Sequence, residues 1–177
     1  MTYKPLFIYV EGSDDHRFVE RIIKPLLAGV YDPIIAIECS KKPSKELRRH
    51  INGTKATCSA CDGEYWYLLD KDDRPCITAT KDWLMTTRGV DNVDGDRVIV
   101  VVKEIEAWYL AGTDELNKIS RLTHTNDVTK EIFSSISKKQ GFVSPLEFML
   151  ELIGRFSLSD ARVYNESLKY YLERLGK

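Results

Sequence analysis

The sequence predicts an α/β protein: a parallel four-stranded sheet with flanking helices and a helical C-terminal extension. Two observations carry this. Apolar runs at residues 6–10, 34–40, 65–69 and 97–102 are separated by segments of helical period, giving the order β-α-β-α-β-α-β. The runs are continuous rather than alternating, as in strands buried on both faces. At 177 residues, 43% hydrophobic and 30% charged, the chain supports one domain with a substantial core. Residues 1–112 read as the α/β domain and residues 113–177 as a helical extension packed on it.

Each element has its own signal. After "FIYV" comes Glu11-Gly12, and then Phe18, Val19, Ile22, Ile23 and Leu26 recur at helical spacing, with Pro25 placed to kink or end that helix. "IIAIECS" is a second, β-branched strand. In "KKPSKELRRHING", Pro43 stands near a helix start, Leu47 and Ile51 share a face, and Gly53 is the expected stop. "YWYLL" is the third strand, "ITATKDWLMTTRG" a helix ending at Gly89, and "RVIVVV" the fourth strand. Beyond residue 103 the periodicity is helical. "SPLEFMLELIGRF" predicts a capping box with Ser144 as N-cap, Pro145 at the first position and Glu147 as reciprocal partner. Leu146, Met149, Leu150 and Ile153 form its expected buried stripe. A last stripe comprises Tyr164, Leu168, Tyr171, Leu172 and Leu175.

The net charge of −1 does not mark a strongly basic nucleic-acid binder, so an anionic partner must be held by local patches or a metal. No apolar run reaches the length of a membrane span. The opening "MTYKPLFIYVEG" enters a strand without a signal-peptide pattern, which predicts a cytoplasmic protein. Its four cysteines are then expected as free thiols. Cys58 and Cys61 in "CSAC" make half of a zinc knuckle, and Cys39 and Cys76 do not stand at the spacing that completes it. His16, His50 and His124 show no ligand spacing.

Three of the four strands run into carboxylates: Glu11 after the first, Asp70 and Asp72 in "LLDKDD" after the third, Glu104 and Glu106 in "VVVKEIEAW" after the fourth. In a parallel sheet the C-terminal ends share one edge, where open α/β folds bind ligands, so these acids are expected to converge there. Residues two apart on an extended segment point the same way, which lets Asp70 and Asp72 offer oxygens to one ion. Acids repel phosphate unless a cation stands between, and all-oxygen donors suit magnesium or manganese.

Each residue also has a structural alternative. Ser13, Asp14 or Asp15 caps the first helix; Asp73 is a turn residue before Arg74 and Pro75; Glu104 and Glu106 occupy a first helical turn. Lys103 contacts a scissile phosphate or pairs with an acid. Glu11 is the exception, because glutamate is a poor N-cap. Lys41, Lys42, Lys45, Arg48, Arg49 and Lys55 make a basic face that is either solvated or touches a nucleic-acid backbone, with Lys45, Arg48 and Arg49 as the candidates.

"YVEGSDD" followed by "LLDKDD" resembles the TOPRIM domain of topoisomerases, primases and certain nucleases, in which a Glu-Gly follows the first strand and an Asp-x-Asp the third. "EIEAWYLAG", residues 104 to 112, resembles a small TOPRIM-like group related to the nuclease domain of OLD-type proteins. The likeness covers about residues 5 to 112. It implies a TOPRIM-like (Rossmann-like) sheet, with Glu11 as general acid, general base or metal ligand, and magnesium on Asp70 and Asp72. It also puts Asp15 where a further acid serves a second metal. The sequence shown has neither the ATPase region of OLD-type proteins nor the tyrosine-bearing domain of topoisomerases, so breaking and rejoining DNA is not expected of it.

The leading expectation is metal-dependent phosphodiester hydrolysis on DNA or RNA, with Glu11 and Lys103 as catalytic candidates. One alternative is a non-catalytic TOPRIM-like subunit that binds nucleic acid or assists a separate ATPase partner in phage defence. Another is a receiver-like phosphoacceptor at Asp70, against which stands the lack of paired acids ending the first strand. No feature of the sequence specifies an oligomeric state.

Overall fold

The computed structural model describes residues 3–113 and 116–177. Four strands, β1 (Leu6–Val10), β2 (Ile34–Glu38), β3 (Glu64–Asp70) and β4 (Val98–Val101), form one parallel sheet in the order β2-β1-β3-β4. Helices flank it, as the alternation of strand and helix periods predicts. β1 is flanked on both sides, with Leu6 opposite Ile34 in β2 and opposite Glu64 in β3. That position explains its continuous apolar run: Leu6, Ile8, Tyr9 and Val10 are all fully buried. Among the described residues no helix is long and apolar enough to cross a membrane.

The chain packs as two compact units, residues 1–69 with 74–100, and residues 70–73 with 101–177. In the first, α1 (Ser13–Phe18) runs through a π-helical stretch (Val19–Ile23) into α2 (Lys24–Leu27). Pro25 therefore neither ends nor breaks the helical path. It lacks the N–H that an α-helix would use at that position, and the wider π turn just before it accommodates the loss.

The helix expected to stop at Gly53 continues: α3 spans Ser44–Cys61. A glycine inside a helix costs about 1 kcal/mol, but here tertiary contacts on either side outweigh it. Leu47, Ile51 and Thr54 are buried at helical spacing. The Tyr9 hydroxyl of β1 bonds Thr54 Oγ1 at 2.6 Å and His50 Nδ1 at 2.8 Å, while the Tyr9 ring stacks on Tyr67 of β3 at 5.9 Å. The true stop is Asp62, left-handed at φ 54°. α4 (Ile77–Thr86) completes the core on this face through Leu84.

In the second unit, α5 (Glu106–Ala111) is buried along its whole length. Three of the remaining helices are α6 (Leu116–Ser120), α7 (Lys130–Lys139) and α8 (Pro145–Gly154), followed by α9 (Leu158–Tyr164) and α10 (Glu166–Arg174). Trp108 of α5 stacks on Tyr171 of α10 at 5.6 Å, and Phe148 of α8 meets Phe133 and Phe142 at 5.1 and 5.0 Å. Two expectations for α8 are corrected. The Ser144 hydroxyl does accept the Glu147 amide at 3.2 Å, but Glu147 reaches past the N-cap to the Val143 amide at 3.0 Å. Leu146 and Leu150 are exposed, because Phe148, Met149 and Leu152 turn inward instead.

Gly112 ends α5 against Phe156, whose ring carbons would lie 2.2 Å from an added Cβ. A ring packed on backbone cannot retreat that far. Gly112→Ala is expected to destabilise the protein by about 1–3 kcal/mol through overpacking. Gly154→Ala, which would meet nothing within 4 Å, should leave the melting temperature unchanged or slightly raised. Paired thermal melts check both.

Candidate metal and phosphate site

In the first unit the register of β1 on β3 runs to Tyr9 opposite Tyr67, so Glu11, just past β1, stands at the C-terminal edge of the sheet. Backbone bonds from Cys39 to the Val10 carbonyl (2.8 Å) and from Ser40 to the Glu11 carbonyl (3.1 Å) bring the loop after β2 alongside it. That loop leads through Lys41 and Lys42 into the first turns of α3. Asp15 is buried and accepts the Gly12 amide at 3.1 Å. The capping alternative is thus realised for Asp15, while Asp14 pairs with Arg17 at 2.5 Å.

The basic face is divided by its partners. Arg48 pairs with Asp91 at 3.3 Å, Lys42 with Glu46 at 3.4 Å, and Lys55 with Asp94 at 2.8 Å. Lys45 and Arg49, four residues apart and both exposed, line a shallow pocket of about 280 Å³ with Pro43 and Glu46. Of the three residues expected to meet a nucleic-acid backbone, these two are the more available.

The second unit gathers Asp70, Asp72, Lys103, Glu104 and Glu106, and adds a residue that sequence reasoning missed. Asp70 and Glu106 are buried, at 4% and 3% exposure. Glu104 lies outside α5, whose N-cap is Ile105, rather than in its first turn. Its carboxylate accepts the backbone amide of Lys130 at the start of α7 and pairs with the Lys130 ammonium at 3.4 Å. Burial alone would lower the Lys130 pKa, but the charges of Glu106, Glu104 and Asp70 outweigh it and hold the group at about 12. Glu104 therefore pairs with Lys130 directly, and the charges of Glu106 and Asp70, which the sequence places on separate strand exits, favour the charged form of the same ammonium. No local signal marks Lys130: it follows the N-cap Thr129 as an ordinary first-turn lysine, and only the tertiary fold sets it beside the acids.

Two backbone outliers stand in the same group. Asp72 (φ 49°) and Lys103 (φ 64°) are both left-handed without being glycine. The Asp72 amide bonds the Lys103 carbonyl at 3.0 Å, next to a bond from the Lys71 amide to the Val101 carbonyl at 2.8 Å. Left-handed backbone costs an L-residue about 1–2 kcal/mol, and such outliers persist where surroundings over-determine them, often at functional sites. The turn after Asp70 also means that Asp70 and Asp72 are not two apart on one extended strand, which removes the geometric ground on which they were expected to point alike.

Among the described residues, no three His, Cys, Asp or Glu side chains already form a group able to hold a metal ion. Magnesium needs only one or two carboxylates, with water and substrate phosphate completing its shell. Buried oxygen donors that already draw a lysine ammonium suit such an ion in both charge and hardness. The cysteines do not. All four are free, Cys58 and Cys61 lie in the last turn of α3, and burial and the neighbouring Cys61 push the Cys58 thiol up, away from the thiolate zinc requires.

No family model matches the chain, and no curated protein matches it. Among solved structures, the C-terminal region of the Burkholderia pseudomallei OLD protein is similar at 16% identity and a TM-score of 0.34, over 93% of this chain and 87% of that one.

Adjacent residues in this group should respond with opposite sign. Glu104→Ala removes the acceptor of the Lys130 amide and should cost about 0.5–2 kcal/mol in metal-free protein. Lys103→Gly relieves a left-handed side chain and should cost nothing or stabilise by up to about 1 kcal/mol. Urea unfolding in chelator checks both.

Proposed function

We propose that this chain is a metal-dependent phosphodiesterase acting on DNA or RNA. The observation that supports it most is the ion pair of Glu104 with Lys130, an ammonium that also feels the charges of the buried Asp70 and Glu106, beside two left-handed residues, Asp72 and Lys103. A stable core has no need of two buried acids or of such backbone outliers. The TOPRIM-like assignment belongs to the same proposal and rests on Glu11-Gly12 following β1 and on Asp70 ending β3 with Asp72 two residues beyond.

Asp70 and Asp72 would hold magnesium or manganese, with Glu106 as a further oxygen donor; Asp15 is a candidate for a second metal on the residue pattern alone. When bound, the ion polarises the phosphate and acidifies an attacking water. Lys103 and Lys130 supply positive charge for the phosphate oxygens, and Glu104 orients Lys130. Glu11 carries the proton, a role that rests on its place in the Glu-Gly pattern. The exposed pair Lys45 and Arg49 would bind the nucleic-acid backbone.

A second reading, a non-catalytic subunit that binds nucleic acid or an ATPase partner, rests on the exposed pair Lys45 and Arg49, which can hold a phosphate backbone without any metal. Incubation with single- and double-stranded DNA and RNA in magnesium, manganese and chelator separates the two. Hydrolysis that requires metal and disappears in Asp70→Asn supports the first; binding without cleavage in every metal supports the second.

Binding should also discriminate within α3. Lys45→Ala and Arg49→Ala are each expected to reduce the slope of log affinity against log salt by roughly 1, as one phosphate contact fewer releases less counterion. Arg48→Ala, already engaged by Asp91, should change it less. Equal slopes in all three variants would make the face a solvated one.

A further inference from the structure

The C-terminal helices reach the strained turn through the hydroxyl of Ser167. Ser167 Oγ on α10 accepts the Val102 amide at 3.2 Å and the Trp108 indole N–H at 2.8 Å, and donates to Asn165 Oδ1 at 2.8 Å. A serine hydroxyl has one proton and two lone pairs, so every bonding position is used and its orientation is fixed. The chain of bonds continues from Asn165 Nδ2 to Thr125 Oγ1 at 2.9 Å, and Asn165 and Thr125 are fully buried.

Three consecutive residues beyond β4 are thereby held from outside their own strand. Ser167 takes the Val102 amide, the Asp72 amide takes the Lys103 carbonyl, and the Lys130 amide takes the Glu104 carboxylate. Lys103, left-handed at φ 64°, sits between the first two. A non-glycine residue stays in that region only when its neighbours leave it no alternative. Ser167 also grips α5 through Trp108, two residues after Glu106.

We propose that Ser167 is a positioning residue: through the Val102 amide it fixes the turn that presents Lys103 and Glu104 beside the acids. Its functional consequence rests on the metal-dependent reading above; its structural consequence does not. Ser167 acts through the Val102 amide and the Trp108 indole N–H. The C-terminal helices are on this account part of the site's architecture, although residues 113–177 contain no recognisable catalytic pattern.

The test compares Ser167→Ala with Thr125→Val, which cuts the same buried network at its far end and leaves the Val102 contact in place. Both should lower the melting temperature. Amide exchange followed by NMR reads the difference: the Asp72 amide should exchange about tenfold faster in Ser167→Ala than in Thr125→Val, the size of one lost hydrogen bond. Manganese calorimetry should show Kd weakened about tenfold in Ser167→Ala alone. Equal Asp72 exchange in the two variants would overturn the inference and leave Ser167 as ordinary core. Failure of the wild type to bind manganese would instead overturn the metal reading, with the exchange comparison still deciding the role of Ser167.

Discussion

The hydrogen bond from the Asp72 amide to the Lys103 carbonyl, 3.0 Å long, is the constraint around which the candidate site is built. It joins the exits of β3 and β4 through two residues whose backbones are both left-handed. Each conformation costs about 1–2 kcal/mol, which the bond between them helps to offset. Together they turn the chain abruptly after Asp70 and before Glu104. The group of acids and lysines follows from that turn: Asp70 and Glu106 remain buried while Glu104 is free to swing onto the start of α7.

Electrostatics in the group run against stability unless positive charge is present. Carboxylates brought together raise one another's pKa and repel. Lys130 offsets that repulsion from a side chain that is 55% exposed, where screening by solvent is substantial. Such a cation neutralises only in part, while Asp70 and Glu106 themselves stay buried. On the metal-dependent reading proposed above, a divalent cation would relieve that repulsion further, a trade of stability for site chemistry.

Much of the sheet was legible in the sequence because its signals are local. Continuous β-branched and aromatic runs give β1 to β4, and parallel connection by helices follows from their spacing. What escaped local reading depends on partners distant in the chain. Gly53 looks like a helix stop until Tyr9, more than forty residues earlier, is seen to bond Thr54. Leu146 and Leu150 fit a buried stripe as well as Phe148 and Leu152 do, and only packing with Phe133 and Phe142 chooses between them. The acids themselves were legible as strand-end residues. Their common cation, Lys130, and the hydroxyl of Ser167 that pins the turn were not, because each lies in a helix whose sequence pattern records only its own core face. Asp15 shows the opposite limit: its position fits both a cap and a metal ligand, and its bond to the Gly12 amide realises the cap whichever further role it has.

The central claim is that Asp70 belongs to a cation-binding group rather than to the scaffold, and four melting curves test it most directly: wild type and Asp70→Asn, each in chelator and in magnesium. Removing one of several crowded carboxylates should leave the chelator melt equal or higher, and ligand binding to the folded state should raise the wild-type melt in magnesium more than the mutant's. A mutant destabilised in chelator, with a magnesium shift as large as that of the wild type, would contradict the claim.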